Sequence, residues 1–310
     1  MTEKILIDTD PGIDDSMAIL SALRSPELEI IGLTTVFGNT DIENTSLNAL
    51  RLVELEGHGT IPVAKGAGSP LFRDVLDLAT EVHGVDGMGN ANPPKPVGRL
   101  NPHNAVQFIV DMVHQYPGEI TLAPLGPLTN IAMALHQDPE LPKLVKRVVL
   151  MGGSAFVPGN ISPVAEANIF HDAHAAEIVF RTDWDVTMIG LDVTTKIIVT
   201  SEDAERLYAA DNPAVNLLEK IQPCYRQFFD KIYGFGGSFH LHDPSVIAYL
   251  LAPELFKTID APVYVETSGL CAGKTIADLH KVWGERRTAR IAVEADGRAV
   301  IELLVKRLTQ

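Results

Sequence analysis

The chain has 310 residues, of which 46% are hydrophobic and 21% charged, a composition typical of a globular protein. It carries 25 Lys and Arg against 40 Asp and Glu, a net charge of −15, without a basic cluster, which argues against a nucleic-acid partner. Its two cysteines do not make a disulfide scaffold, and the acidic N-terminus is unlike a signal peptide. No apolar run is long enough to span a membrane, so we expect a cytoplasmic protein without a membrane partner.

Short apolar runs alternate with amphipathic segments over the first two thirds of the chain, as strands and helices do when they follow one another. In chain order, the pattern predicts a strand at residues 4–7, a helix at 16–23, a strand at 28–36, a helix at 42–55, a strand at 61–64, a helix at 105–114, a strand at 119–123, a helix at 128–135, a strand at 145–151, a helix at 173–180 and a strand at 186–191. Strands this apolar, separated by helices, are typical of a mostly parallel sheet covered on both faces.

The last third of the chain is richer in helix. Helices are predicted at residues 201–210, 215–229, 244–251 and 298–308, with β-like runs at 262–265 and 290–293. No shift in composition marks a boundary, so we expect one α/β domain over residues 1–310. Residues 65–104 are rich in Gly and Pro, which indicates a long loop, and such loops often carry function.

Four carboxylates, Asp8, Asp10, Asp14 and Asp15, follow the first predicted strand in the segment DTDPGIDD. Ligands of open α/β sheets bind beyond the carboxyl ends of the strands, and this many anions need a cation to neutralise them. Carboxylate oxygens suit Ca²⁺ or Mg²⁺. A solvated loop with helix-capping Asp residues would explain Asp14 and Asp15, but it explains Asp8 and Asp10 poorly, because charge at the end of a buried strand is costly.

A second polar group, His240, His242 and Asp243, follows three glycines and precedes the helix predicted at 244–251. His and carboxylate together can bind a metal, and a His can act as a general acid. Equally, these residues can be only the loop and cap of that helix. The glycines indicate a flexible segment, which favours a lid or a substrate contact.

Amide and carboxylate side chains also follow two other predicted strands. Asn39 comes after the strand at 28–36, and Asn160, Glu166 and Asn168 come after the strand at 145–151. Such groups suit hydrogen bonds to a polyol, although a single Asn is more often a turn residue.

Aromatic residues and one further histidine complete the candidates. His83 lies in the Gly-rich loop, where a lone His is usually a surface residue. Tyr225, Phe229 and Tyr233 recur every four residues, a spacing more typical of a core face, but they lead into the glycine loop, so stacking on a planar base stays open. Neither a dinucleotide-binding glycine motif nor a P-loop motif follows the first strand, which argues against those nucleotide chemistries.

Taken together, eight segments resemble the inosine–uridine-preferring nucleoside hydrolase family, in order, from about residue 6 to residue 255. They are DTDPGIDDSMAI, TTVFGNT, VHGVDGMGN, PLGPLTNIA, VLMGGS, AEAN, MIGLDVT and HDPSVIAYL. The resemblance implies a Rossmann-like α/β fold and hydrolysis of the N-glycosidic bond of ribonucleosides to ribose and free base, a reaction of nucleoside salvage. It also implies a bound Ca²⁺ and a homo-oligomer, a tetramer or a dimer.

The resemblance assigns roles residue by residue. The Ca²⁺ ligands would be Asp10, Asp15, Asp243 and the backbone carbonyl of Leu125, with ribose hydroxyls and a water completing the shell.

Catalysis would fall to Asp10 as general base, to Asn39 as the residue that orients the water, and to His242 as the residue that protonates or hydrogen-bonds the departing base. His240 is the neighbouring candidate for that last role, and His83 would belong to a lid.

Substrate would be held by Asp14, Asn160, Glu166 and Asn168 at the ribose and, more loosely, by Tyr225, Phe229 and Tyr233 at the base. Residues 72–95 and 222–243 would form mobile loops over the site. A His at the position of His242 goes with the inosine–uridine and pyrimidine-type members, whereas Ala167 stands where the family usually has an aromatic residue.

Two other functions are compatible with parts of the sequence. Asp8 and Asp10 also read as the D-x-D motif of a haloacid-dehalogenase-like phosphohydrolase, but no clear downstream acidic pair follows. A nucleoside- or ribose-binding protein without turnover would account for Ala167 but not for the full set of acidic and amide residues.

Overall fold

The protein is described by a computed structural model over residues 2–72 and 78–310. Its strands are β1 (Glu3–Thr9), β2 (Leu28–Thr35), β3 (Val63–Lys65), β4 (Ile120–Pro124), β5 (Arg147–Met151), β6 (Val186–Ile189), β7 (Ile198–Val199), β8 (Phe239–His240), β9 (Phe256–Val265), β10 (Thr275–Ala277) and β11 (Thr288–Ala295).

Its helices are α1 (Ile13–Leu23), α2 (Ile42–Leu55), α3 (Thr80–His83), α4 (Ala105–Gln115), α5 (Thr129–Gln137), α6 (Leu141–Leu144), α7 (Ala167–His171), α8 (Ala173–Arg181), α9 (Leu191–Thr194), α10 (Ser201–Tyr208), α11 (Pro213–Tyr233), α12 (Pro244–Leu251) and α13 (Gly297–Thr309). Short 3₁₀ turns occupy Pro253–Leu255 and Gly269–Cys271.

The central sheet has, within the described residues, nine strands in the order β10-β9-β11-β6-β5-β4-β1-β2-β3. The pairings from β11 through β6 to β3 are parallel, and only β9 and β10 run antiparallel to their neighbours. The predicted mostly parallel α/β sheet is therefore confirmed. A separate antiparallel pair joins β7 and β8.

Both faces of the sheet are buried under helices, as the continuous apolar strands predict. In β1, Ile5 and Ile7 belong to one hydrophobic cluster and Leu6 belongs to the other, and all three are fully buried. Each such side chain stabilises the fold by about 1.5–3 kcal/mol relative to an exposed one. The two clusters hold the strand ends rigidly, which lets the loops beyond them carry polar groups.

The strand order reverses between β1 and β4, because β2 and β3 lie on one side of β1 while β4, β5 and β6 lie on the other. Where the connections after two neighbouring strands run in opposite directions, a crevice opens at the carboxyl ends of those strands. Ligands bind in this crevice in such sheets. The backbone N–H of Leu125, just after β4, donates to the Asp8 carbonyl in β1 at 2.7 Å. This bond brings the ends of both strands together at the crevice.

The structure corrects several predicted boundaries. The strand predicted at 186–191 ends at Ile189, since Gly190 caps α9, which begins at Leu191. The β-like run at 262–265 is the end of a longer strand, β9, whose polar Lys257 and Asp260 hide its start from the apolar pattern.

The helix predicted at 215–229 is confirmed and extends to Tyr233, so the mobile loop predicted at 222–243 is mostly regular structure. Residues 222–233 lie in α11, which continues through Pro223 because Tyr225 and Phe229 extend its buried face at helical spacing. Pro223 removes one hydrogen bond, and the burial of these large side chains offsets that loss.

The predicted loop at 72–95 contains the short helix α3, and its residues 73–77 lie outside the described part. Across residues 2–72 and 78–310, none of the helices has the length and apolar character needed to cross a membrane.

Candidate active site

The candidate site is the acidic turn between β1 and α1, at the point where the strand order reverses. Asp10 follows β1, whereas Asp14 and Asp15 lie in the first turn of α1. Asp243 joins them from the start of α12, which packs against α1. Carboxylate oxygens of Asp14, Asp15 and Asp243 lie within 4.8 Å of one another.

Asp10 is held beside these three carboxylates by backbone rather than by side chains. Its Oδ2 accepts a hydrogen bond from the backbone N–H of Asn39 at 2.7 Å, whereas its buried Oδ1 has no partner among the described residues. A Cβ at Gly38 would overlap Oδ2, and a Cβ at Gly126 would overlap Oδ1. Glycine at both positions therefore lets two loops enclose Asp10 while one carboxylate oxygen stays free.

The Asp15 carboxylate is fully supported. It accepts hydrogen bonds from the Thr9 hydroxyl at 2.5 Å, from Asn39 Nδ2 at 2.8 Å and from the backbone N–H of Gly12 at 3.0 Å. Asn39 thus contacts both Asp10 and Asp15, and it fixes the distance between them.

Asp14 has one supported and one free oxygen. The Tyr225 hydroxyl donates to its Oδ2 at 3.2 Å, and its Oδ1 has no hydrogen-bond partner in the described residues, with His83 Nδ1 3.9 Å away. Tyr225 is 2% exposed, so it reaches this site through its hydroxyl rather than through an open ring face.

Burial and mutual repulsion raise the pKa values of these carboxyls. Burial raises the pKa of Asp14 to about 6, and it raises the pKa of Asp15 as well. For Asp10 and Asp243 the pKa lies well above the ordinary value, first through burial and then through the charges of Asp15 and Asp14 respectively. So many anions in one buried turn are stable as carboxylates only when a cation shares the site.

The donor set fits a hard divalent cation. The free oxygens of Asp10 and Asp14 are buried beside the grouped carboxylates, and every group in the turn offers oxygen rather than sulfur or imidazole nitrogen. Calcium takes about six to eight such oxygen ligands, including backbone carbonyls.

The backbone carbonyl of Leu125 is oriented by the predicted ribose-binding residue Asn168. Asn168 Nδ2 donates to the Leu125 carbonyl at 2.7 Å and, more weakly, to the Met151 carbonyl at 3.3 Å. Leu125 follows β4 and Met151 ends β5, so one amide joins the ends of two neighbouring strands. Asn168 therefore lies within reach of the acidic turn.

Glu166 and Asn160 have structural partners of their own. Both oxygens of Glu166 accept backbone N–H groups, from Asn168 at 2.9 Å on one side and from Gly153 at 2.9 Å and Ile169 at 3.1 Å on the other. Glu166 thereby caps α7. Asn160 is exposed, and its Oδ1 accepts the N–H of Ala167 at 3.0 Å.

The two histidines near α12 have different surroundings. His242 Nδ1 lies 2.8 Å from the Thr194 hydroxyl, and burial lowers the pKa of His242 to about 3. His240 is enclosed by the rings of Phe229, Tyr233 and Phe235, whose centroids lie 5.1–5.6 Å from its own. Burial lowers the pKa of His240 to about 4.

The aromatic stripe on α11, formed by Tyr225, Phe229 and Tyr233, changes in exposure along the helix. Phe229 is 3% exposed, whereas Tyr233, one turn further, is 47% exposed at the molecular surface. Phe229 and Tyr233 are stacked with centroids 5.6 Å apart. The stripe thus runs from the buried acidic turn outward to solvent.

His83 ends α3 and is buried, not on the surface as its sequence setting suggests. Its Nδ1 accepts the backbone N–H of Ile13 at 3.1 Å, so in the neutral ring the proton is on Nε2. Burial lowers the pKa of His83 to about 4. His83 therefore attaches the segment after α3 to the start of α1.

Asp8 points away from the acidic turn. Its Oδ1 accepts hydrogen bonds from the Thr34 hydroxyl at 2.6 Å and from Asn130 Nδ2 at 2.8 Å, and burial raises its pKa to about 7. This environment braces β1 against β2 and α5.

Sequence reasoning missed the residues that support the site from outside. Thr9, which donates to Asp15, and Thr194, which bonds to His242, lie inside quoted motifs, but nothing in a single sequence distinguishes such a hydroxyl from one that only packs. The sequence does not indicate the close approaches of Gly38 and Gly126 to Asp10 either, since a glycine in a loop is usually a turn residue.

The chain that carries this site matches a known family model. The model described as "Inosine-uridine preferring nucleoside hydrolase" matches residues 5–302. The chain belongs to this nucleoside hydrolase family. It is a ribonucleoside hydrolase, an N-glycosidase, as are its named relatives and structural neighbours.

Individual relatives of this nucleoside hydrolase cover most of its length. It is 45% identical over 276 residues to a "Probable uridine nucleosidase 1" of Oryza sativa subsp. japonica, covering 89% of this chain and 85% of the relative. It is 39% identical to a pyrimidine-specific ribonucleoside hydrolase of Citrobacter koseri, covering 99% and 98%. A solved plant nucleoside hydrolase superposes with a TM-score of 0.96 at 36% identity, covering 100% and 99%.

Gly126→Ala should reduce kcat/KM for nucleosides by about 100-fold, because the new methyl group displaces the Asp10 carboxylate by a fraction of an ångström to an ångström. Ribose release gives the measurement. Gly59→Ala is the matched control, since a Cβ there meets its nearest neighbour, Glu54 Cγ, at an ordinary 3.8 Å. Wild-type turnover in Gly126→Ala would show that the position of Asp10 does not depend on this close approach.

Proposed function

We propose that this nucleoside hydrolase is Ca²⁺-dependent and acts on pyrimidine and inosine–uridine-type ribonucleosides. The observation that carries the proposal is the buried group of carboxylates at the β1/β4 crevice, in which Asp10 and Asp14 each keep a free oxygen. Relatives named as uridine nucleosidases and pyrimidine-specific hydrolases support the choice of base.

The ion would be held by Asp10, Asp15, Asp243 and the Leu125 carbonyl. When bound, Ca²⁺ would neutralise the carboxylates, orient the ribose diol and lower the pKa of a water. The protein's own part is to keep these oxygens converged before the ion arrives. Asn39 does so for Asp10 and Asp15, and the Asn168 amide does so for Leu125.

Asp10 would act as the general base. Its Oδ1 is free to take a proton, while its other oxygen is fixed by the Asn39 backbone. Asp14 and the carbonyl oxygen of Asn168 would hold ribose hydroxyls, with Glu166 and Asn160 shaping the same side of the sugar. Departure of the base leaves an oxocarbenium-like ribosyl centre, which nearby carboxylates stabilise electrostatically.

His242 would donate a hydrogen bond to the departing base. In the tautomer that we propose, the Thr194 hydroxyl donates to Nδ1, so the ring proton lies on Nε2. His240 and the rings of Phe229 and Tyr233 would form the pocket for a planar base. His83 would close the site beside Asp14.

The geometry speaks against one of the two other functions considered from sequence. A phosphohydrolase of the haloacid dehalogenase type needs Asp8 as its nucleophile, but Asp8 is buried and bonded to Thr34 and Asn130. A Ca²⁺-dependent binding protein without turnover would use the same acidic group, so ribose release decides between it and the enzyme. The cytoplasmic location, the homo-oligomeric state and the movement of the loops at 72–95 and 222–243 stay predictions.

The proposal is tested by release of reducing sugar from inosine, adenosine, guanosine, uridine and cytidine, with and without prior chelation. We expect the fastest release from uridine, its loss on chelation and its recovery with Ca²⁺. Asp10→Ala should lose nearly all turnover. If no nucleoside released ribose although calcium bound, the chain would be a binding protein rather than an enzyme.

Calcium should raise the melting temperature of the chelated protein, and it should do so more at about pH 7.5 than at about pH 5. Burial raises the pKa values of the proposed ligands Asp10, Asp15 and Asp243, so at the lower pH protons compete with the ion. At 100 times its dissociation constant the ion would add about 2.7 kcal/mol to the free energy of unfolding. In Asp243→Asn, which lacks a proposed ligand, calcium should shift the melting temperature only slightly. Asp260→Asn, at an exposed position, is the control and should show the wild-type shift.

His242→Ala should slow uridine hydrolysis by about 100-fold or more but leave a riboside with a nitrophenolate leaving group almost unchanged. That leaving group departs as an anion without a proton, whereas a pyrimidine needs one. His240→Ala serves as the comparison, because its ring lies 5.6 Å away in the same pocket. A leaving-group effect in His240→Ala and not in His242→Ala would transfer the role to His240.

A further inference from the structure

We propose that Asn48 is a positioning residue that locks the segment of residues 84–92 onto the acidic turn, and so sets the geometry of the metal and nucleoside site. This inference rests on the proposed function. No motif in the sequence singles out Asn48, which lies in the middle of α2 and reaches neither substrate nor ion.

One amide nitrogen of Asn48 joins two segments that are far apart in the chain. Asn48 is fully buried, and its Nδ2 donates to the Pro11 carbonyl at 3.0 Å and to the Asp86 carbonyl at 2.9 Å. Pro11 directly follows Asp10 in the acidic turn. The two carbonyls are acceptors only, so the link depends on both protons of this one side-chain amide.

The orientation of the amide is fixed by its other end. Asn48 Oδ1 accepts a hydrogen bond from Arg51 Nη1 at 2.6 Å, which places oxygen on that side and nitrogen toward the two carbonyls. Arg51 Nε in turn donates to the Pro94 carbonyl at 3.0 Å. The connection thus continues from α2 to Pro94, just beyond the end of the segment.

The backbone of the segment packs directly on Asn48. Gly87 has φ of +73°, and a Cβ there would lie 2.9 Å from Asn48 Nδ2 and 3.1 Å from the Pro11 carbonyl. Both the left-handed conformation and the close approach require glycine. The Thr40 hydroxyl adds a bond to the Val85 carbonyl at 2.7 Å.

The segment that Asn48 holds is internally ordered and carries a site residue at its start. The Asp86 carboxylate accepts the backbone N–H groups of Met88 at 2.7 Å, Asn90 at 2.8 Å and Asn92 at 2.9 Å. His83 precedes it and accepts the Ile13 N–H. The segment is therefore attached on both sides of Gly12, at Ile13 through His83 and at Pro11 through Asn48.

Loss of the Asn48 amide would leave the Pro11 and Asp86 carbonyls without their shared donor and would release the segment from the turn. Partners that orient metal ligands without touching the metal typically contribute about 10- to 100-fold in affinity or activity. We expect about tenfold weaker calcium binding and a raised KM for uridine that saturating calcium does not correct, because the segment stays displaced.

The test compares Asn48→Leu, which keeps the side-chain volume but loses both donors, with Thr45→Val. Thr45 is buried on the same helix, and within the described residues its hydroxyl bonds only to the Ile42 carbonyl of that helix. Calorimetric titration of the chelated proteins with CaCl₂, uridine kinetics and hydrogen exchange of the amides of residues 84–92 are measured on both.

The expected result is weaker calcium binding, higher KM and about tenfold faster exchange in Asn48→Leu only. Equal calcium affinity, KM and exchange in the two variants would overturn the proposal, because Asn48 would then contribute only packing. If Asn48→Leu does not fold, Arg51→Met, at a half-buried position, replaces it. We expect smaller changes in the same direction, and unchanged values would again contradict the proposal.

The readouts separate this inference from the proposed function. A wild-type protein that binds calcium but releases no ribose would refute the function, while calcium affinity and hydrogen exchange would still decide the role of Asn48. If wild type binds no calcium, hydrogen exchange alone decides whether Asn48 fixes the segment.

Discussion

The structure depends on one electrostatic constraint, the crowding of buried carboxylates where β1 and β4 end side by side. Four acidic side chains converge there, and burial raises the pKa of each of them. Such a turn is costly to fold unless rigid elements hold it and a cation completes it. The parallel sheet supplies the rigidity, because its buried strands carry the turn on fixed ends.

Neutral hydrogen-bond donors fix the positions and orientations of these carboxylates. Asn39, Thr9 and Tyr225 each contribute a hydrogen bond to a different side of the group, and none of them brings a positive charge that would replace a metal. Asn168 orients in the same way the backbone carbonyl of Leu125, just after β4. Polar neutral neighbours can thus set geometry while leaving the negative potential for the ion and for a developing ribosyl cation.

The sequence predicts the parts of this arrangement that depend on local pattern. Apolar strands and amphipathic helices indicate the parallel sheet, and Asp10, Asp14 and Asp15 are visible as a cluster after β1. The convergence of Asp243 with that cluster depends on α12 packing against α1, which no local pattern encodes, and only the family resemblance anticipated it. The helix predicted at 215–229 already runs through Pro223, and only its last turn to Tyr233 lies beyond the predicted end, where a mobile loop is expected from the family resemblance.

The Asp86 carboxylate, which binds three backbone N–H groups of its own segment, bears on how a substrate would be enclosed. A flexible flap loses conformational freedom when it closes, at about 1–2 kcal/mol per ordered residue, and that loss weakens binding. Residues 86–92 already have their turn formed before any nucleoside arrives. If these residues move over the site, they move as one ordered unit. Nucleoside binding then loses no free energy to ordering their backbone.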